Sequence, residues 1–413
     1  MWSSVLLKKL WKKRRPICEM EYVMKTIKNS NTEELTVLGT SVTHLEVIKK
    51  KAESDLGFPI KYITLDGTEA QRVAALSPHK FDVYDQWFHD LDLIWPTKSL
   101  QAIDINRIAH WDDISESLNS LKVSSDFKGT PGGSPFSRLF IDSADRLTGD
   151  CTENLSMLPT VYNADTFAMV GKETDYANSW AALFDPEFSG QVSIQNDAAI
   201  GVIDCYLAYQ SYSGKSFKDA GNFEIPEIDE LIDFLLGLKK KKHFAQFWKE
   251  ESEVANAINA KRVQISSMWW QGFVYLRRLG INVNMCTPKE GYRGWFGGLS
   301  ISSEAQGKKL DMAYRYLNWW LDGFAGASMT RNGAYVANPK STKKFLEKDE
   351  WNYWYEGRET KKSLKDPFGN KIIDPGEVHE GGNYLERRSN IAIWNSVMDE
   401  HNYLSRRWLD VQE

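Results

Sequence analysis

The chain reads as an α/β protein that leaves one lobe, builds a second and returns to the first. Two observations predict this. Between residues 35 and 84, apolar runs at Leu35-Thr-Val-Leu-Gly39, Pro59-Ile-Lys-Tyr-Ile-Thr-Leu65 and Phe81-Asp-Val-Tyr84 alternate with helical stretches. That βαβαβ order argues a parallel sheet covered by helices. Gln71-Arg-Val-Ala-Ala-Leu76 with Phe81-Asp-Val-Tyr-Asp85 and, over two hundred residues later, Gly291-Tyr-Arg-Gly-Trp-Phe-Gly-Gly-Leu-Ser-Ile-Ser302 each read as strand, turn and exposed aromatic. Such an arrangement suits a cleft that holds a small molecule and releases it unchanged.

The elements follow in order. Residues 1 to about 34 read as an irregular leader ending in the polar stretch Asn29-Ser-Asn-Thr-Glu-Glu34. Its basic cluster, from Lys8 to Arg15, is followed by Pro16-Ile-Cys-Glu-Met-Glu-Tyr22 and not by an apolar core, so no export signal is visible. After the first strand, Thr40 and Ser41 precede a helix ending near Gly57, and a second helix spans 68–76. Residues 118–150 are loop-rich, with a turn at Gly129-Thr-Pro-Gly-Gly133. Leu158-Pro-Thr-Val-Tyr162 and Thr166-Phe-Ala-Met-Val170 read as two strands joined by a polar turn, and Gly190-Gln-Val-Ser-Ile194 as another. The apolar spacing of Ile228, Leu231, Ile232, Leu235 and Leu238 predicts a helix whose lysine-rich end, Lys239 to Lys242, is solvated. Val263-Gln-Ile-Ser-Ser267 predicts a strand leading into Trp269 and Trp270, residues 310–324 an amphipathic helix, and residues 391–408 a long final helix.

Composition narrows the function. The chain of 413 residues is 42% apolar and 26% charged, enough for two or three soluble domains. A net charge of -5 argues against nucleic acid, whose phosphates need a basic face. Sixteen tryptophans supply flat apolar faces for stacking as well as for core. Cys18, Cys151, Cys205 and Cys286 stand far apart without a metal-ligand spacing and read as buried thiols, with one long-range disulfide left open. Phosphate-loop, dinucleotide, zinc-protease and serine-hydrolase motifs do not occur, and the seven histidines are scattered. The expectation is binding without catalysis, with no metal and no cofactor.

The chain resembles the extracellular solute-binding proteins of ABC importers, in the class similar to spermidine/putrescine-binding proteins. The resemblance covers about residues 35–410 and rests on Phe81-Asp-Val-Tyr84, Leu158-Pro-Thr-Val-Tyr162, Ser179-Trp180, Leu183-Phe-Asp-Pro-Glu-Phe-Ser-Gly190, Ile194-Gln-Asn-Asp-Ala198, Pro288-Lys-Glu-Gly291, Trp295 and Gly333-Ala-Tyr-Val-Ala-Asn-Pro339. It implies a type II periplasmic-binding fold of two α/β lobes joined by two crossing hinge strands, with a solute trapped between them. Lobe one would take residues 35–157 and 299–413, and lobe two 158–298. It further implies a periplasmic monomer whose partners are a small-molecule ligand and a membrane permease. A sensor or scaffold of the same fold, and more remotely an enzyme on it, are the alternatives.

Ligands of open α/β sheets sit beyond the carboxyl ends of the strands. That rule selects Thr40, Ser41, Trp87 and His89 in lobe one, and Asp197, Trp269 and Trp270 in lobe two, with one of the two adjacent tryptophans facing the cleft and the other the core. The resemblance adds Trp295, whose family position packs an aromatic ring on ligand, and Tyr335. Arg293, with Thr40 and Ser41, is expected to meet a ligand carboxylate. Ile200 and Gly297 stand where a polyamine binder would carry Glu and Asp. An aromatic box with the single carboxylate Asp197 therefore suits a small organic cation or zwitterion better than a polyamine. Arg387, Arg388, Arg406 and Arg407 read as solvated helix faces.

Overall fold

A computed structural model describes residues 33–114, 134–171 and 178–413. Residues Leu35–Glu413 form one compact unit. The basic cluster of the expected leader and the expected turn at 129–133 lie outside the described residues.

The first three strands form as the apolar runs require. Strand β1 (Leu35–Gly39) pairs in parallel with β2 (Ile60–Thr64) and β3 (Val83–Trp87). Helix α1 (Glu46–Leu56) buries Ile48 and Ala52, and it stops at Gly57, whose φ of 75° is the left-handed conformation that closes helices. Helix α2 (Gly67–Leu76) begins where the Asp66 carboxylate accepts the Glu69 amide at 3.0 Å.

Two long antiparallel strands cross the molecule. β4 (Leu158–Val170) has 13 residues, and residues 162–166, expected to hold a turn, continue it unbroken. The polar side chains there find distant partners instead: the Asn163 amide donates to the Gly333 carbonyl at 2.7 Å, and Asp165 enters the site described below. β4 pairs with β9 (Tyr292–Ser302) along most of its first half. Pro159 has no amide to give, and the ladder shifts register opposite it, between Gly297 and Gly298. Past that shift β9 pairs with β3, while the far end of β4 pairs with a strand of the second lobe. The two strands are thus the crossing connections of a two-lobed sheet.

The second lobe has its own parallel core. β5 (Val192–Gln195) lies between β6 (Phe244–Trp248) and β7 (Ile265–Met268), and β7 and β8 (Val283–Met285) both pair with β4. Around them run α3 (Gly201–Ser213), α4 (Ile225–Lys240), α5 (Glu251–Asn259) and α6 (Trp270–Arg278). α4 opens on a reciprocal cap between Glu224 and Glu227 and closes on Lys239 and Lys240.

The carboxyl-terminal segment differs from expectation. Residues Ile391–Trp394 form a strand, β10, parallel to β9, and only His401–Gln412 are helical, as α7. Ile393, Met398, Leu404, Trp408 and Val411 pack with Ile194, Ile203 and Leu231. The final helix therefore covers the second lobe, although the sequence assigned it to the first. Arg387 and Arg388 are buried, at 1% and 7% exposure, and Arg387 donates to the Tyr335 hydroxyl and the Ala164 carbonyl. Arg407 spans Asp229, Asp233 and Asp410, holding α7 to α4. Of the cysteines, Cys205 and Cys286 are buried, whereas Cys151 is exposed, and Cys18 lies outside the described residues.

The crossing admits no side chain at one point. A Cβ on Gly298 would stand 2.4 Å from the Leu158 carbonyl oxygen and 2.6 Å from Met157 Cγ. Gly298→Val is expected to destabilise the fold by about 1–3 kcal/mol through overpacking. Urea unfolding checks this, and an unchanged midpoint would mean that the two strands separate freely.

Candidate functional site

Beyond the carboxyl ends of the strands, residues of the two lobes sense one another. Burial is the main cause that raises the carboxyls of Asp90, after β3, and Asp197, after β5, with smaller contributions to Asp90 from the charge of Asp197 and to Asp197 from that of Asp66, at the start of α2.

The aromatic part of the site is a pair. Trp87 meets Trp295 edge to face, with ring centroids 5.0 Å apart and planes at 72°. Gly297 lies under this contact, since a Cβ there would come within 3.2 Å of Trp87 Cε3 and 3.1 Å of Val161 Cγ2. A carboxylate at position 297 would compete with the Trp87 ring for the same space. The missing acid and the tryptophan are two sides of one packing solution.

Asp165 orients the second ring. Trp295 Nε1 donates to Asp165 Oδ2 at 2.6 Å, and the Trp270 amide donates to Oδ1 at 3.2 Å. Arg293, expected to meet a ligand carboxylate, is turned inward instead. Its Nε donates to Asp204 Oδ1 at 2.7 Å, one Nη donates to Asn395 Oδ1 at 2.9 Å, and the other Nη lies 3.7 Å from Asp165 Oδ2. The guanidinium is 1% exposed and neutralised inside the protein. Burial raises the Asp165 and Asp204 carboxyls, and Arg293 draws both part of the way back.

Asp197 builds the turn into α3. Its amide donates to Gln195 Oε1 at 2.6 Å, and its Oδ1 accepts the Ala199 amide at 2.7 Å. The turn is tight because Gly201 passes so close to the Gln195 carbonyl oxygen that a Cβ would lie 1.9 Å from it. Burial raises the Asp197 carboxyl.

The other expected residues divide. Thr40 is 6% exposed and its hydroxyl has no hydrogen-bond partner, whereas Ser41 is exposed. Neither caps α1, whose preceding residue is Leu45. His89 is buried, with Nε2 3.6 Å from Asp90 Oδ1, and burial first, then the charges of Arg138, His401 and Arg293, push it down to about 3. Trp270 is core: it stacks on His379 at 4.1 Å and donates to the Ala164 carbonyl. Trp269 is part-buried, tied by Nε1 to Glu251 at 2.7 Å and packed on Trp248. Tyr335 is also interior, 2% exposed, accepting from Arg387 at 2.5 Å.

Two residues that sequence reasoning missed complete the arrangement. Asp90 is 4% exposed and accepts from the Tyr84 hydroxyl at 2.9 Å and from Gln71 Nε2 at 3.0 Å. Gln86, 1% exposed, gives its amide nitrogen to the Gly67 carbonyl and keeps Oε1 without a donor. The available signal was the acid itself, three residues past Trp87 at the end of an apolar strand. The arrangement offers aromatic faces, carboxylates and an unpaired carbonyl, which suits a ligand rich in hydrogen-bond donors.

The profile of the bacterial extracellular solute-binding proteins matches residues 86–354. No curated protein sequence matches the chain. Solved structures do. An ABC transporter substrate-binding protein from Bradyrhizobium japonicum is 14% identical over 92% of this chain and 99% of its own, with a TM-score of 0.59. The spermidine/putrescine ABC transporter substrate-binding protein PotD from Streptococcus pneumoniae is 12% identical over 92% and 100%, with a TM-score of 0.59. The binding protein MotA from A. tumefaciens B6, solved with glucopine, is 14% identical over 92% and 100%, with a TM-score of 0.57. At these identities the likeness speaks to the fold.

Proposed function

Because the chain belongs to the bacterial extracellular solute-binding protein family, we propose that it captures a small organic cation or zwitterion between its lobes and delivers it to the permease of an ABC importer, without transforming it. On this reading it works as a monomer in the periplasm, and Trp87, Trp295, Thr40, Asp90 and Asp197 line the ligand site. The observation that carries the ligand class is the Trp87–Trp295 pair, set among buried carboxylates with the nearby Arg293 already neutralised by Asp204 and Asp165. Aromatic faces attract a cation, and an internally paired guanidinium leaves a net acceptor surface. Closure of the lobes then follows from contacts the ligand makes with both.

Isothermal calorimetry of the full chain tests this, using 1,4-diaminobutane, spermidine, γ-aminobutyrate and glycine betaine in two buffers of different ionisation enthalpy. Burial raises Asp90 to about 7, so near neutral pH its carboxyl is partly protonated in the free protein. A cation beside it favours the ionised form and expels the proton. Binding is expected to release protons and to tighten as the pH rises through 7. Binding of none of the four compounds, or binding that takes up protons, would overturn the reading.

A further inference from the structure

We infer that residues 347–390 brace the two lobes across the hinge: one segment grips both, and Arg277 and Arg278 must let go of it before the lobes can swing apart. The inference goes beyond the ligand reading and does not depend on it, because it concerns the lobes themselves.

Local signals build the segment. Glu347 and Glu350 cap the helix Lys348–Trp354 reciprocally. Asp366 then shapes a hairpin of Leu364–Lys365 and Lys371–Ile373. Its Oδ1 accepts the Phe368 amide at 2.9 Å and the Asn370 amide at 2.8 Å. The helix Tyr384–Ser389 follows, opened by Asn383.

One end of the segment grips the first lobe. Glu350 accepts from Arg331 Nε at 2.6 Å and from an Arg331 Nη at 2.8 Å, a bidentate pair. Arg331 closes the helix Phe324–Arg331, which packs on α1, where Lys51 Nζ lies 5.8 Å over the Phe324 ring. The Tyr355 hydroxyl meets that of Thr330 at 3.2 Å.

The other end grips α6 of the second lobe. Arg278 Nε donates to Asp366 Oδ2 at 2.5 Å, and its guanidinium stands 4.9 Å over the Phe368 ring. Arg277 Nε donates to the Ile372 carbonyl at 3.0 Å, and an Arg277 Nη pairs with Glu377. Arginines in the last turn of a helix need no acid, since the helix dipole already favours them there. Here each has one, and the Asp366 side chain is 0% exposed.

Between the two ends lies the pivot. The Ala164 carbonyl, on the crossing strand β4, accepts from Arg387 Nη2 of the segment at 3.0 Å and from Trp270 Nε1 of α6 at 3.2 Å. His379 stacks on the same Trp270 ring at 4.1 Å. Contacts at a pivot survive a rotation, but those farther out do not. Arg278 stands eight residues along α6 from Trp270, about 12 Å at the rise of a helix. A hinge rotation of about 15° moves that end by about 3 Å, which breaks a hydrogen bond. Whichever lobe the segment follows, the rotation must break its grip on the other.

Single-molecule energy transfer on the full chain, without ligand, tests the brace. Dyes go on Leu76→Cys in the first lobe and Tyr212→Cys in the second, both exposed positions, with Cys18 and Cys151 replaced by serine. Wild type is expected to show one dominant separation. Each ion pair lost should raise the opening equilibrium by about 3-fold to 10-fold, between the scale of an exposed pair and that of a buried charge-assisted bond. Arg277→Gln with Arg278→Gln removes both pairs and keeps most of the side-chain stems. Glu377→Gln removes one, keeps the acceptor for the Asp374 amide, and serves if the double variant folds poorly. Salt supplies a readout that a merely structural role would not move. From about 0.1 M to about 1 M salt, where the screening length falls from about 10 Å to about 3 Å, the opened population should grow in wild type and stay level in the double variant. A variant that keeps the wild-type distribution of separations, or a wild-type distribution insensitive to salt, would overturn the brace.

Discussion

Arg293→Met is expected to cost about 3–5 kcal/mol of folding stability, because it strands two buried carboxylates. Asp204 and Asp165 are each 0% exposed, and Arg293 is the cation that faces both. Methionine fills similar volume but gives them nothing. The loss should depend on pH in a defined direction. Without the guanidinium, the folded-state pKa of each carboxyl rises further above its unfolded value. An acid raised in this way is harmless where it is protonated in both states, and it penalises folding increasingly as the pH climbs from the unfolded value through the folded one. Urea unfolding of the variant should therefore show a smaller loss at about pH 5 than at about pH 8. Adding Asp204→Leu should return part of the stability at the higher pH, since a paired charge replaced wholly by apolar groups costs far less than one left alone. A loss that is the same at both pH values would mean that the carboxylates reach water or another donor.

That prediction also marks where local reading ends. The lobe-one sheet was legible because each strand carries its own apolar run and each helix its own stop, as at Gly57. The crossing strand 158–170 was not read as one element because Asn163 and Asp165 look like turn residues. Their partners are Gly333, Trp295 and Arg293, all 130 or so residues or more away in the chain, and only folding brings them together. The short strand at Ile391–Trp394 was hidden for the same reason, since its ladder runs to Tyr292 and Gly294. In the site, the strand-end rule found Trp87 and the family resemblance added Trp295, and the two do meet. Arg293 was expected to meet a ligand carboxylate, and nothing local announced Asp204 as its partner. Asp90 went unnoticed beside His89 because alternation along a strand does not extend into the loop that follows.

Trp408→Ala is expected to destabilise the protein by about 3–5 kcal/mol, the usual cost of deleting a buried indole, and to weaken ligand binding as well. The ring is 2% exposed and packs edge-on against Phe247 at 5.4 Å, closing the second lobe's core from the carboxyl-terminal helix. It also approaches the turn at Asp197. Trp408 Nε1 donates to the Asn196 carbonyl at 2.6 Å, Gln412 Nε2 donates to the same oxygen at 3.0 Å, and Asn196 directly precedes Asp197. The last helix thus pins the peptide that aims the Asp197 carboxylate. Trp408→Phe separates the two roles. It keeps much of the apolar contact and removes the indole N–H, so it should lose less stability than alanine, yet it leaves the Asn196 carbonyl with Gln412 alone. Thermal unfolding measures the first effect and calorimetry with 1,4-diaminobutane the second. If Trp408→Ala unfolds normally, the final helix is an appendage and the second lobe closes its core without it. If both variants lose stability but bind as wild type does, the turn at Asp197 is rigid on its own account, set by Gln195, Ala199 and the close passage of Gly201.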